Sequence, residues 1–365
     1  MLSLYEMFKV IFGLVMSSFI LLIIVHFIGV YTQLDQDAER AQILKNFLKG
    51  AEDAYTTGNP LTFTDFRRQE FTLSFDRTPP PGIVSDVGKN PVLFPLFFRP
   101  GKEIFVSQGQ LEMGWWTFRF VEAFPGARFL FSPVEGGEQS WKLVRDIAFF
   151  LPDSEFFSPT ITFGVCDGQP QELCAGGCER QAFLAAVRGR SAPVQECTVQ
   201  NLPAGTILIT VASSCSPSRT SRGYCLTPPS QGIGRIFLSD QPPLLYKDPV
   251  DIVAALAGGE EKDLYGSSGA TIHGYKNDAF RQEVLLGAEV MEQRAFLLAI
   301  EHRKARGEEC AQAFDRLRET LQVVQSSLSD PQYYQDPAEA AGLGVALAEA
   351  RAAQQALADQ GCDYA

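Results

Sequence analysis

The segment Val10–Thr32 is apolar along its whole length, and no Asp, Glu, Lys or Arg interrupts it. As a helix rising about 1.5 Å per residue, it is long enough for the roughly 30 Å hydrocarbon core of a bilayer. A lipid interior leaves the backbone no water to bond to, so helix is the conformation such a run demands. The alternative of a cleaved signal peptide fits less well. Signal cores run to roughly 7–15 apolar residues and end at a small-residue cleavage site, whereas here Gln33-Leu34-Asp35-Gln36-Asp37 follows. A core helix apolar on every face over this length is also unusual. His26 has no ionisable neighbour within the run and reads as a neutral packing residue. The expectation is a retained single-pass anchor with the lipid bilayer as its partner.

Orientation draws on two opposed signals. Lys9 and the terminal amine lie on one flank of the run, and Arg40, Lys45 and Lys49 lie on the other, behind Asp35, Asp37 and Glu39. The charge asymmetry weakly favours a cytoplasmic C-terminal side. The cysteines point the other way. All eight (Cys166, Cys174, Cys178, Cys197, Cys215, Cys225, Cys310 and Cys362) follow the apolar run, in an even number and mostly among Gly, Pro and Ser. That usage fits disulfides in an oxidising compartment, so the soluble part is expected to be extracytoplasmic. Cys215 with Cys225, Cys310 with Cys362, and two further links among Cys166, Cys174, Cys178 and Cys197 are the pairings considered; sequence alone does not set connectivity. Cys174-Ala-Gly-Gly-Cys178 has zinc-compatible spacing, but no second tight pair or neighbouring His completes a ligand set, so no metal or other cofactor is expected.

Beyond the apolar run, Leu34, Ala38, Ala41, Leu44, Leu48, Ala51 and Tyr55 recur every three or four residues, which predicts an amphipathic helical stalk over 33–58. Gly58-Asn59-Pro60 ends it. A helix half apolar and half amphipathic, leading into a globular head and carrying Glu6 just ahead of the apolar run, resembles the N-terminal arrangement of type IV pilins and pseudopilins. The chain departs from those families in having no basic leader ending in Gly before the run. The overall layout, with the stretch Gln42-Ile43-Leu44-Lys45-Asn46-Phe47, resembles uncharacterised archaeal single-span surface proteins with a pilin-like N-terminal helix. That resemblance implies a surface location and no particular activity.

Residues 60–126 read as a β-rich segment. The strands expected are Phe71–Phe75, Val92–Phe98, Glu103–Val106 and Trp115–Val121, divided by Pro79-Pro80-Pro81-Gly82 and Pro100-Gly101. Their aromatic residues are assigned to core. From 127 to 265 the pattern becomes an α/β domain with cysteine-rich loops. Strands at Arg128–Phe131, Ile161–Val165, Thr206–Val211 and Arg235–Leu238 alternate with helices through Trp141–Phe150, Ala182–Val187 and Pro249–Leu256, which predicts a mostly parallel sheet.

No motif in the chain specifies chemistry. Gly232-Ile233-Gly234-Arg235-Ile236-Phe237 offers two glycines of a dinucleotide-binding loop, but Phe237 occupies the third position and a strand follows. Gly266-Ser267-Ser268-Gly269 fits no nucleophile elbow. Asp167, Ser213, Ser268 and His273 could converge as a hydrolase site, with His273 as the general base; the plainer reading of Gly266–Gly274 is a flexible loop before the last helical region.

That region, 275–365, is expected to form an antiparallel helical hairpin. Leu286 and Val290, and then Cys310, Phe314, Leu317, Leu321, Val324 and Leu328, follow four- and three-residue steps; Ser329-Asp330-Pro331 breaks the pattern, Asp336-Pro337 restarts it, and an Ala-rich helix runs through Leu343, Leu347, Ala350 and Leu357. Such helical stripes are surfaces for packing or for homo- or hetero-oligomer contacts. A net charge of −12 without a basic cluster argues against a nucleic-acid partner. The fold expected is α/β in the mixed α+β sense, with a transmembrane anchor over 1–32. The function expected is a membrane-anchored extracytoplasmic structural or binding module with no recognisable catalytic motif. A minor pilin or pseudopilin-like subunit and a membrane-tethered hydrolase are the alternatives.

Overall fold

The computed structural model describes residues 4–67, 73–85, 87–99, 101, 103–125, 128–133, 138–150, 162–166, 193–194, 206–215, 223–230, 232–238, 242–258, 269–305 and 307–362. It is a mixed α+β fold. Helix α1 (Leu4–Thr57) is a single helix of 54 residues, roughly 80 Å long at the usual rise. From Phe12 to Leu34 its apolar side chains are exposed, and this stretch is long and apolar enough to cross a membrane. Farther along, Ile43, Leu44, Phe47, Ala51 and Ala54 form a buried stripe at helical spacing. Phe47 sits among the rings of Phe63, Phe66 and Phe98, at 5.4, 5.3 and 5.3 Å between centroids. Gly58, with φ +74°, closes α1 by donating its N–H to Ala54 O, the left-handed stop that glycine adopts without a Cβ penalty.

The head begins with β1 (Leu61–Phe63), a short 3₁₀ turn (Asp65–Arg67), and β2 (Ser74–Asp76), β3 (Gly82–Ser85) and β4 (Gly88–Pro91), the last three forming a small antiparallel sheet. Strands β5 (Leu96–Phe98), β6 (Ile104–Glu112) and β7 (Thr117–Pro125) complete a four-stranded sheet in the order β1-β6-β7-β5. The β6/β7 hairpin is its spine. One sheet face receives the α1 stripe; Phe118 and Phe120 lie on the other.

Two strand expectations here are corrected and a third is described only in part. Val92–Phe98 is strand only over Leu96–Phe98, because Pro95 has no N–H to donate, and Leu93 stands 93% exposed. Trp115 and Trp116 lie in the β6–β7 turn, set by Gly114 at φ +86° and by Met113 N–H donating to Trp116 O. Ser74 and Phe75 belong to β2, whereas Phe71 and Thr72 lie outside the described residues.

A second sheet comprises β8 (Arg128–Pro133), β9 (Thr162–Cys166), β10 (Pro193–Val194), β11 (Thr206–Val211), β12 (Gly223–Ser230), β13 (Ile233–Phe237) and β14 (Leu244–Tyr246), with α2 (Glu138–Phe150) after β8. Its order is β10-β9-β8-β11-β12-β13-β14. The pairings from β10 through β12 are parallel, and β12/β13 and β13/β14 are antiparallel. The segment at Arg235–Leu238 therefore does not extend the βα alternation. Arg235–Phe237 lie in β13, the return strand of a hairpin that turns at Gly232, φ +83°. The second glycine, Gly234, is needed because a Cβ there would enter the Tyr246 ring. The Gly-x-Gly pattern thus serves a turn and a close packing contact. The helix expected over Ala182–Val187 lies outside the described residues.

The C-terminal part holds α3 (Pro249–Gly258), α4 (Gly269–Lys304), α5 (Glu308–Ser327) and α6 (Pro337–Asp359). The expected two-helix hairpin is corrected to three successive helices, because α4 ends around Ala305 and Gly307 donates back to His302 O. Leu286 and Val290, read as part of the buried stripe, are exposed, while Phe280, Val284, Ala288, Ala295 and Ala299 carry the buried face of α4. Phe314, Leu317, Leu321, Val324 and Leu328 of the α5 segment are buried. Asp336 caps α6 by accepting the Ala338 N–H, with Pro337 in the first turn. A disulfide joins Cys310, near the start of α5, to Cys362, just past the end of α6, so these two helices run antiparallel. Closing 52 residues of chain in this way removes unfolded-state freedom worth about 4 kcal/mol. A second disulfide joins Cys215 to Cys225 across the β11/β12 edge.

Candidate functional site

The densest polar cluster in the described core lies where α3 meets the first turns of α4. Asp248 and Asp251 build the start of α3 reciprocally: Asp248 Oδ1 accepts the Asp251 N–H at 2.9 Å, and Asp251 Oδ2 accepts the Lys247 N–H at 2.9 Å. This is a capping-box-like closure at a Pro-initiated helix. The same carboxylates then reach α4. Lys276 Nζ donates to Asp251 Oδ1 at 2.7 Å and to Asp248 Oδ2 at 3.1 Å, although Lys276 is 0% exposed. Asn277 Nδ2 donates to Asp251 Oδ1, and Lys247 Nζ donates to Asn277 Oδ1. Tyr333 Oη donates to Asn277 Oδ1 from the α5–α6 connection. Both ammonium groups also lie over the Phe280 ring, at 4.7 and 4.9 Å.

Two lysines and two aspartates balance in charge, and their hydrogen bonds supply what water would have given them. Burial opposes ionisation of Asp251. The charges of Lys247 and Lys276 outweigh it and hold this carboxyl well below the usual carboxylate range. His273 lies one turn before Asn277. Its Nε2 meets Leu245 O at 2.7 Å, with Asp251 Oδ1 farther away at 3.7 Å. Burial lowers its pKa below the usual histidine value, and Asp251 only partly offsets that. The neutral imidazole therefore donates from Nε2 to the Leu245 carbonyl.

The loop expected over Gly266–Gly274 is corrected over Gly269–Gly274, which forms the opening turns of α4. His273 is a buried part of the clamp between α3 and α4, not a residue of a flexible loop. Ser213 is exposed and lines a separate cleft of about 520 Å³ with Cys215 and Arg235; His273 lines another of about 400 Å³. Asp167 and Ser268 lie outside the described residues, as do Cys174, Cys178 and Cys197; Cys166 ends β9. Among the described residues no group of three or more His, Cys, Asp or Glu is placed to hold a metal ion.

The four-stranded sheet holds a second buried acid. Glu122 on β7 pairs in register with Ser107 on β6 and lies beside Phe97 of β5. Both Glu122 carboxyl oxygens and Ser107 Oγ are buried without a hydrogen-bond partner. Burial pushes the Glu122 carboxyl up to about 8, so it is mostly protonated at neutral pH. The alternation Phe118, Phe120, Glu122, Phe124 was the available signal, because it places an acid at an inward strand position. Lys276 had no comparable signal, since its partner lies 25 residues away in sequence.

No protein-family model, curated protein or solved structure matches the chain.

Proposed function

We propose that this protein is a membrane-anchored extracytoplasmic structural or binding module. The observation that carries the reading is α1, which exposes apolar side chains over Phe12–Leu34 and then, without a break, buries Ile43, Leu44, Phe47, Ala51 and Ala54 against the head. An anchor continuous with the head core holds the head at a set distance and tilt from the bilayer, which suits a surface module. The Cys215–Cys225 and Cys310–Cys362 disulfides support an oxidising compartment.

Labelling intact cells with a membrane-impermeant maleimide before and after reduction, followed by mass mapping, tests it. Labelling of Cys310 and Cys362 only after reduction is the outcome expected. Thiols protected in intact cells but labelled without reductant after lysis would place the head in the cytosol and end the reading.

A pilin-like subunit is the second reading, favoured by one feature: the distal half of a single long helix packs onto an antiparallel hairpin sheet. Intact-mass analysis of the mature protein decides it. A cleaved N-terminus close to Glu6 supports assembly through α1, and an unprocessed one leaves a simple signal anchor.

A further inference from the structure

The cleft of about 400 Å³ beside His273 is lined by Pro242, Pro243 and Leu244 and by Arg77 and Tyr334. Its volume is in the range of small-molecule pockets, and an apolar wall with a few converging polar groups is how such pockets are built. Among the described residues no carboxylate lines it. Among the described lining residues the Arg77 guanidinium is the one fixed charge, and it makes no hydrogen bond or ion pair with any described residue. Asp278, in the neighbouring groove, feels the Arg77 charge without pairing with it.

Gly274 makes the polar wall possible. A Cβ there would run into Arg77 Nη1, and the Tyr334 hydroxyl would stand 3.5 Å from it. The bare backbone of α4 is therefore the seat on which a guanidinium and a phenol hydroxyl are brought together. Both are donors, and His273 cannot compete for an anion because its Nε2–H is held by Leu245 O.

We propose that this cleft binds a small organic acid. Its carboxylate accepts from the Arg77 guanidinium and the Tyr334 hydroxyl, and its hydrocarbon body lies on Pro242, Pro243 and Leu244. A guanidinium fork matches a carboxylate in geometry, and the proline and leucine surface gains nothing from a fully hydrated anion such as phosphate. The proposal deepens the binding-module reading and takes its biological setting from it. Topology is read in cells and this binding on purified protein, so either can fail without the other.

The test is calorimetric titration of the full chain in detergent micelles with benzoate, octanoate, benzamide and inorganic phosphate, on wild type and on the Arg77→Gln and Gly274→Ala variants. Saturable binding of benzoate or octanoate is expected, with benzamide about tenfold weaker or more, as loss of a charge-assisted hydrogen bond requires. Arg77→Gln should weaken the acid by a similar factor without affecting benzamide. Gly274→Ala should do the same while keeping every polar group, because it displaces the guanidinium. Failure of both acids to saturate, benzamide binding as tightly as benzoate, unchanged affinity in Arg77→Gln, or phosphate binding more tightly than either acid would each overturn the proposal.

Discussion

Two regions of the head bury acids in opposite ways. On the four-stranded sheet, Glu122 is buried opposite Ser107 without a partner, and the carboxyl stays neutral by keeping its proton. At the α3–α4 junction Asp251 is just as buried, yet Lys247 just before α3 and Lys276 of α4 hold it ionised. Burial acts in the same direction on both, and the neighbours decide the result. The first region is adjustable, because one proton changes its charge. The second is locked, because no member changes state without stranding another.

The largest effect expected from breaking this contrast is at Lys276. Lys276→Met leaves Asp251 and Asp248 buried with one fewer cation and should cost about 3–5 kcal/mol in denaturant unfolding of the full chain. Adding Asp251→Leu should recover part of that loss, and a single variant as stable as wild type would mean the network is not the lock described.

Next is the pH response of Glu122. Its folded pKa lies above the ordinary 4.5, so the folded state binds the proton more tightly than the unfolded chain. Its contribution is complete below about 4.5 and is lost as pH rises toward about 8, a change of roughly 3 kcal/mol by pH 7. Glu122→Gln should flatten that decline in unfolding midpoints measured across this window.

His273 should tilt the curve the other way. Its folded pKa is lowered, so its stabilisation is present above the ordinary value of 6.5 and is lost as pH falls below it. His273→Gln should remove that acid-side slope in the same measurement, with a smaller effect than Glu122→Gln because Asp251 offsets part of the burial. The smallest change expected is Ser107→Ala, which deletes an unpartnered buried hydroxyl. It should change stability by under about 1 kcal/mol, and toward stabilisation. A marked loss on Ser107→Ala would mean that the hydroxyl pairs with Glu122 in solution.

Periodicity made α1, α5 and α6 readable in advance, because their apolar positions repeat at helical spacing over many turns. It was less informative in α4, whose Leu286 and Val290 have the right spacing but face solvent. Strand order was not legible. Gly223–Ser230, interrupted by Pro228 and Pro229, is not among the expected strands, yet it joins the parallel set to the antiparallel edge of the second sheet. Of the candidate site, His273 stood out in the sequence, but as a possible general base rather than as part of this clamp; Lys247, Asp251, Lys276 and Asn277 each look like an ordinary surface residue in the local window.

The amino-acid order alone therefore determines an apolar helix long enough for a bilayer, the helical stripes that follow it and the mixed α+β class. These depend on near-neighbour patterns that any short window of the chain contains. Tertiary structure alone decides that Asp251 is charged while Glu122 is neutral, that Gly274 seats Arg77, and that Cys310 meets Cys362. Those outcomes rest on burial and on partners distant in sequence, and an electrostatic environment exists only once the elements have packed.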